Sequence, residues 1–349
     1  MSGRIINTLF LVCLFILPTG CGPQFTPPRD PASREPGLRE NSFVTFDGTE
    51  LPLRSWLPEK GLNDTRFIFI AVHGFNDYSN FIKNGALYFN RNRIAVYAYD
   101  QRGFGKAPVR GRWSSTETMA EDLQTLVRLT SEKYPYLPIY LLGHSMGGAV
   151  VINAMTAKNH PEVAGAILVS PAVWAHSTMP FYQYTALWLA AHTIPWFTVT
   201  GESLQRTACN NQAVLKELGR DPLVIKETRF DTIYGLQDLM DKAYVNASSF
   251  RINTMVLYGL HDEIIPRKPV IETFDHIPLE PEKQKKLILY DEGYHMLLRD
   301  LQAESVMQDI VDWVENGGQG ISTGNEQYSA RGNFKNQDGT ARGLSSSKP

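Results

Sequence analysis

The chain has 349 residues, with 34 Lys plus Arg against 36 Asp plus Glu and a formal net charge of −2. That near-balance gives no electrostatic reason to expect nucleic acid, and the 43% hydrophobic content suits a globular protein. Three cysteines (Cys13, Cys21 and Cys209) show no metal-ligand spacing and imply no disulfide framework.

The length is enough for a sizeable core, as one large domain or one domain with an insertion. Residues 1–21 have the pattern of an export signal: Arg4 supplies positive charge, residues 5–17 are mostly apolar, and Pro18-Thr19-Gly20 precede Cys21. The apolar run is short for a membrane span. The ending Leu17-Pro18-Thr19-Gly20-Cys21 resembles a bacterial lipoprotein processing site, although Pro18 stands where leucine is usual. That resemblance implies an acylated Cys21 and a membrane-anchored protein facing the periplasm or cell surface. A cleaved soluble signal, giving a secreted or periplasmic protein, is the alternative. Residues 22–40, rich in Pro, Arg and Glu, read as a flexible tether.

Structure is expected from Phe43, where an apolar-polar alternation around Asp47-Gly48 predicts a hairpin ending near Trp56. Residues 66–72 form a continuous apolar run, as in a sheet covered on both faces, and end in His73-Gly74-Phe75-Asn76. A helix over 79–90 and a buried strand over 94–99 follow. The strand leads into Asp100-Gln101-Arg102-Gly103-Phe104-Gly105. Residues 119–134 carry helical spacing, and Ile139 to Leu142 read as another buried strand. After a further helix, 164–170 is again a strand. This alternation predicts an α/β fold with a mostly parallel sheet and helices on both faces. The core is expected over 41–170 and 251–316. Between them, 171–250 lacks a clear buried strand and reads as a cap insertion over the carboxyl ends of the strands. Strands at 254–259 and 286–290 and a helix over 301–314 resume the pattern. Residues 317–349, rich in Gly, Ser, Asn and Gln, read as a disordered tail.

The centre of the pattern is Gly143-His144-Ser145-Met146-Gly147-Gly148, between a strand and a helix. This is a nucleophile elbow: the backbone turns so sharply at the serine that only hydrogen side chains fit at the flanking glycines. The motif alone is weak; its strand-turn-helix context strengthens it. A serine hydroxyl becomes an effective nucleophile only when a base takes its proton and a carboxylate orients that base. Asp262 and His295 each lie just past a strand end, downstream and in the order that such a sheet requires. Ser145 is therefore the expected nucleophile, His295 the base and then acid, and Asp262 the orienting carboxylate. His144 points elsewhere from the elbow, and His261 and His276 lack the position after the last strand. Asp291 and Glu292 precede His295 too closely. The oxyanion donors are expected to be the backbone N–H groups of Met146 and Phe75.

These residues resemble the α/β-hydrolase fold, with its eight-stranded sheet, and more closely the monoacylglycerol-lipase and lysophospholipase-like branch grouped with serine aminopeptidase-like hydrolases. The resemblance is carried by His73-Gly74, Asp100-Gln101-Arg102-Gly103-Phe104-Gly105, Gly143 to Gly148, Asp262 and His295. It implies a structural role for Asp100 and Arg102 in a loop beside the site. It also implies a lipid-like ester substrate, such as a monoacylglycerol or lysophospholipid, cleaved through an acyl-enzyme without metal or cofactor. The aromatic run over 179–197 in the insertion suits an acyl channel or a lipid surface, with packing of the cap as the plainer reading. An aminopeptidase or amidase on the same fold, and a non-catalytic lipid- or partner-binding lipoprotein, remain as alternatives.

Overall fold

The computed structural model describes residues 22–29, 34–201, 206–281 and 283–318, together with three short strands beyond them. The expected export signal, with Cys21, lies outside the described residues, as does most of the tail. Among the described residues, no helix is long and apolar enough to cross a membrane.

The strands are β1 (Gly37–Leu38), β2 (Ser42–Val44), β3 (Glu50–Trp56), β4 (Phe67–Val72), β5 (Ile94–Tyr99), β6 (Ile139–His144), β7 (Gly165–Val169), β8 (Thr198–Thr200), β9 (Glu227–Arg229), β10 (Thr254–Gly259), β11 (Lys285–Tyr290), β12 (Glu326–Tyr328), β13 (Phe334–Lys335) and β14 (Ala341–Arg342). The helices are α1 (Lys83–Arg91), α2 (Thr116–Lys133), α3 (Met146–Thr156), α4 (Phe181–Thr193), α5 (Gln212–Arg220), α6 (Phe230–Asn246), α7 (Arg267–His276) and α8 (Ala303–Glu315).

Among the described residues one 12-stranded sheet runs β1-β2-β3-β5-β4-β6-β7-β10-β11-β12-β13-β14. The inner strands β5, β4, β6, β7, β10 and β11 pair in parallel, and β3 joins them antiparallel. Beyond the expected eight strands, β1 extends one edge and β12 to β14 the other; each is two or three residues long, too short for a readable alternation.

The apolar runs are buried on both sides because alternate residues face opposite layers. In β4, Ile68, Ile70 and Val72 enter one core with α2, α3 and α6, while Phe69 and Ala71 enter the other with α1 and α8. Each such fully buried Ile, Val or Phe side chain stabilises by roughly 1.5–3 kcal/mol. Ser115 caps α2, its hydroxyl accepting from the Thr118 N–H at 3.0 Å. That cap starts the helix three residues ahead of the expected position.

Two stretches differ from the sequence reading. Residues 22–29 lie against the fold rather than free of it: the Thr26 N–H donates to the Trp113 carbonyl at 2.8 Å and the Arg29 N–H to Asp47 at 2.7 Å. A proline-rich segment outside helix and sheet has backbone groups to spare, and two of these find partners. Within 171–250, α6 packs on the elbow helix as a core layer, with Leu239 and Ala243 buried. The segment that stands over the site is therefore shorter, ending near β9. It contains an antiparallel pair, β8 with β9, and a helix, α4, in which only Ala191 is buried.

Candidate active site

The site begins at the turn from β6 into α3. Ser145 sits there with φ of 51° and ψ of −117°, a conformation foreign to non-glycine residues that costs on the order of 1–3 kcal/mol. The surroundings hold it: its N–H donates to the Val169 carbonyl, and its carbonyl accepts from Gly148 and Ala172, each at 2.9 Å. The flanking glycines are obligatory. A Cβ on Gly147 would lie 2.0 Å from the Val72 carbonyl oxygen, and one on Gly143 would lie 2.6 Å from that of Gly147.

The parallel register brings the ends of β6, β10 and β11 to one rim, and the three expected side chains meet there. His295 Nε2 lies 2.9 Å from Ser145 Oγ, and its Nδ1 lies 2.8 Å from Asp262 Oδ2. The other carboxylate oxygen, Oδ1, accepts from the Ile264 and Ile265 N–H groups at 2.8 and 2.9 Å. Asp262 is thus oriented by its own loop. Ser145 and His295 are both buried. This chain of hydrogen bonds can move a proton from the hydroxyl to the imidazole while the carboxylate stabilises the cation formed.

The remaining residues weighed in the sequence fall outside that chain. His144 donates from Nε2 to the His295 carbonyl at 3.1 Å and stacks on Phe81, so it braces the His295 backbone. Burial, reinforced by the neighbouring His295, lowers its pKa well below the ordinary imidazole value. His261 stacks on Tyr294 and His276 packs edge-on against Tyr244. Asp291 and Glu292 are exposed loop residues.

Met146 is the first residue of α3, where the helix leaves its N–H without an intrahelical partner. Phe75 follows β4 in a turn that approaches Ser145: a Cβ on Gly74 would lie 3.3 Å from that of Ser145. Behind this turn is a bracing that sequence reading missed. The Gln101 N–H donates to His73 Nε2 at 3.0 Å, which leaves the proton on Nδ1; Nδ1 donates to the Gly74 carbonyl at 2.8 Å. Gln101 Nε2 also donates to the His73 carbonyl. The segment starting at Asp100 therefore does local work. Asp100 accepts from the Ser79 and Lys106 N–H groups. Arg102 forks onto both Asp122 (2.6 and 2.8 Å) and Asp47 (2.8 and 2.7 Å). Burial alone would raise the Asp47 carboxyl, but the Arg102 guanidinium and neighbouring donors hold it well below the usual carboxylate range.

Above the site, the cap turns much of its apolar surface outward. Phe181 is 82% exposed, Tyr182 60% and Phe197 54%, and Leu189 and Trp196 are also exposed. These residues do not serve mainly to pack the cap down.

Known proteins carry the same arrangement of elements. The chain is 28% identical over 309 residues to a monoglyceride lipase of Rattus norvegicus, covering 86% of this chain and 96% of that protein. It is 26% identical over 281 residues to a monoacylglycerol lipase of Mycolicibacterium smegmatis, covering 79% and 96%. A soluble variant of the Saccharomyces cerevisiae monoglyceride lipase, solved with a substrate analogue, superposes with a TM-score of 0.67 at 22% identity, covering 85% and 100%. That structure bears on the fold alone. Residues 63–302 match the family described as serine aminopeptidase, S33. With that match spanning the six parallel strands of the sheet and all three residues of the hydrogen-bonded chain, this protein belongs to the serine aminopeptidase S33 family of α/β hydrolases.

Proposed function

We propose that the protein hydrolyses carboxylic esters of lipid-like substrates, monoacylglycerols or lysophospholipids, through an acyl-enzyme on Ser145. The observation that carries this reading is the unbroken Ser145–His295–Asp262 hydrogen-bond chain at the end of a strained elbow. His295 takes the hydroxyl proton as Ser145 Oγ attacks the ester carbonyl. The tetrahedral oxyanion is received by the Phe75 and Met146 N–H groups. His295 then gives its proton to the departing alcohol, and water reverses the sequence to free the acid. The lipid-like substrate is supported by the names of the relatives, monoglyceride and monoacylglycerol lipases, and by the outward apolar face of the cap.

An aminopeptidase needs a carboxylate free to hold the substrate amine. Asp77, two residues past Phe75, is paired with Arg299 at 2.9 Å and is not free for that role. Export and acylation at Cys21 complete the reading and would place the enzyme against its substrate. Turnover of monoacylglycerols, lysophospholipids, short aryl esters and aminoacyl amides by the purified protein tests the bond cleaved. We expect ester turnover that depends on acyl length, and stoichiometric fluorophosphonate labelling that Ser145→Ala abolishes. Cleavage of aminoacyl amides alone would transfer the protein to the peptidase reading. A folded sample that takes no label would make it a binding protein.

A further inference from the structure

The turn over residues 74–77 is held from two sides, and only one side belongs to the core. On the core side, the Gly74 carbonyl accepts from His73 Nδ1 and from the Asp77 N–H at 3.3 Å. A trans peptide sets its N–H opposite its carbonyl, so these bonds aim the Phe75 N–H. The Phe75 ring contacts Phe104 and Trp113 at centroid distances of 5.7 and 6.3 Å.

The other side is the cap. Asn76 has φ of +63°, the left-handed region that a four-residue turn with glycine or asparagine at its third position uses. Its carbonyl accepts from the Ile225 N–H at 2.9 Å, and its Nδ2 donates to Thr228 Oγ1 at 2.7 Å. Thr228 is 7% exposed and sits in β9, paired with Val199 of β8. Just past the turn, Tyr78 is tied to the same stretch of cap, its Oη donating to Asp221 at 2.7 Å. Residues 221–228 therefore run along residues 76–78 as a strap.

We infer that Asn76 is a positioning residue for the oxyanion donor Phe75, and that residues 225–228 are the clamp through which the seating of the cap sets the oxyanion hole. The inference rests on the hydrolase reading above. Oxyanion stabilisation depends steeply on donor distance and angle, and removing one donor outright costs on the order of 100- to 1,000-fold in turnover. Loosening a donor costs less than deleting it. A cap unseated by substrate entry or by contact with a lipid surface would take the carbonyl of Asn76 and its side chain out of their bonds together.

The test uses Asn76→Gly, which accepts the positive φ but loses the side-chain bond, Thr228→Val, which keeps the shape but loses the hydroxyl, and Thr228→Ser, which restores it. Each is measured for kcat and KM on a short aryl ester, for inhibition by an alkyl trifluoromethyl ketone whose hemiketal carries the oxyanion, and for Tm. We expect Asn76→Gly and Thr228→Val each to lower kcat and weaken the ketone by about tenfold, with KM changed by less than about twofold. Thr228→Ser should recover both, and the double variant should lose no more than either single one. If the two variants stay within about twofold of wild type in kcat and ketone affinity, or if their losses multiply, the clamp is refuted. Fluorophosphonate labelling of the wild type separates the two levels: a wild type that is labelled and turns over, with indifferent variants, rejects the clamp alone, whereas an unlabelled wild type removes the hydrolase reading and the clamp with it.

Discussion

Asp262 keeps one oxygen for His295 and gives the other to two backbone N–H groups. An amide at this position would fit the same space but would present a donor, or hold the imidazole in the wrong tautomer. Asp262→Asn should therefore lower kcat by about 10,000-fold while leaving Tm nearly unchanged. If activity survives, the carboxylate role passes to Asp291 or Glu292. The buried histidines bear on stability. Burial lowers the pKa of both His73 and His144 in the folded state, although the bond to Gly74 raises the first and the bond to His295 raises the second. Below about pH 6.5 the unfolded chain binds protons at these positions that the folded chain does not. Their contribution is thus present above that pH and lost as the pH falls. Urea midpoints should drop between pH 7.5 and 5.5, and His144→Gln should flatten the drop; an unchanged slope would remove His144 from the account.

At the elbow, helix and strand backbones come into close contact. Gly147 lies under β4 with no room for a methyl group, since a Cβ would meet the Val72 oxygen at 2.0 Å, its carbon at 2.6 Å and the His73 oxygen at 2.9 Å. All three are backbone atoms and cannot swing aside. Gly147→Ala should cost about 3 kcal/mol or more, read as a fall in the denaturant midpoint and in soluble yield. The loop after β5 is held differently. Arg102 faces two carboxylates that are almost wholly buried, so Arg102→Met leaves them uncompensated and should destabilise by about 3–5 kcal/mol in chemical denaturation. A change below about 1 kcal/mol would show that water replaces the guanidinium.

At the scale of the whole molecule, one rim of the sheet gathers the chemistry and the cap above it carries an exposed aromatic face. The lipoprotein reading predicts that Cys21→Ser shifts the protein from the membrane to the soluble fraction; unchanged fractionation rejects acylation at that residue. The buried Cys209, whose thiol burial pushes up to about 12, is inert in this respect.

Much of the site was legible because its signals are local. Glycines two positions on either side of Ser145 are demanded by a turn of six residues. Asp262 and His295 could be found because each follows a readable strand, and chain order assigns them. The bracing of Phe75 carries no such signal: Asn76 looks like any loop asparagine until Thr228, 152 residues later, is seen beside it. The same holds for α6, whose sequence has helical spacing whether it joins a cap or a core layer. The packing of α3 against it decides which. Sequence alone therefore determined which three side chains meet at the rim and in what order they occur along the chain, since backbone geometry near a strand end is a short-range matter. Tertiary structure decided how those side chains are held and which segment stands beside them, because contacts between distant segments leave no periodicity in either one.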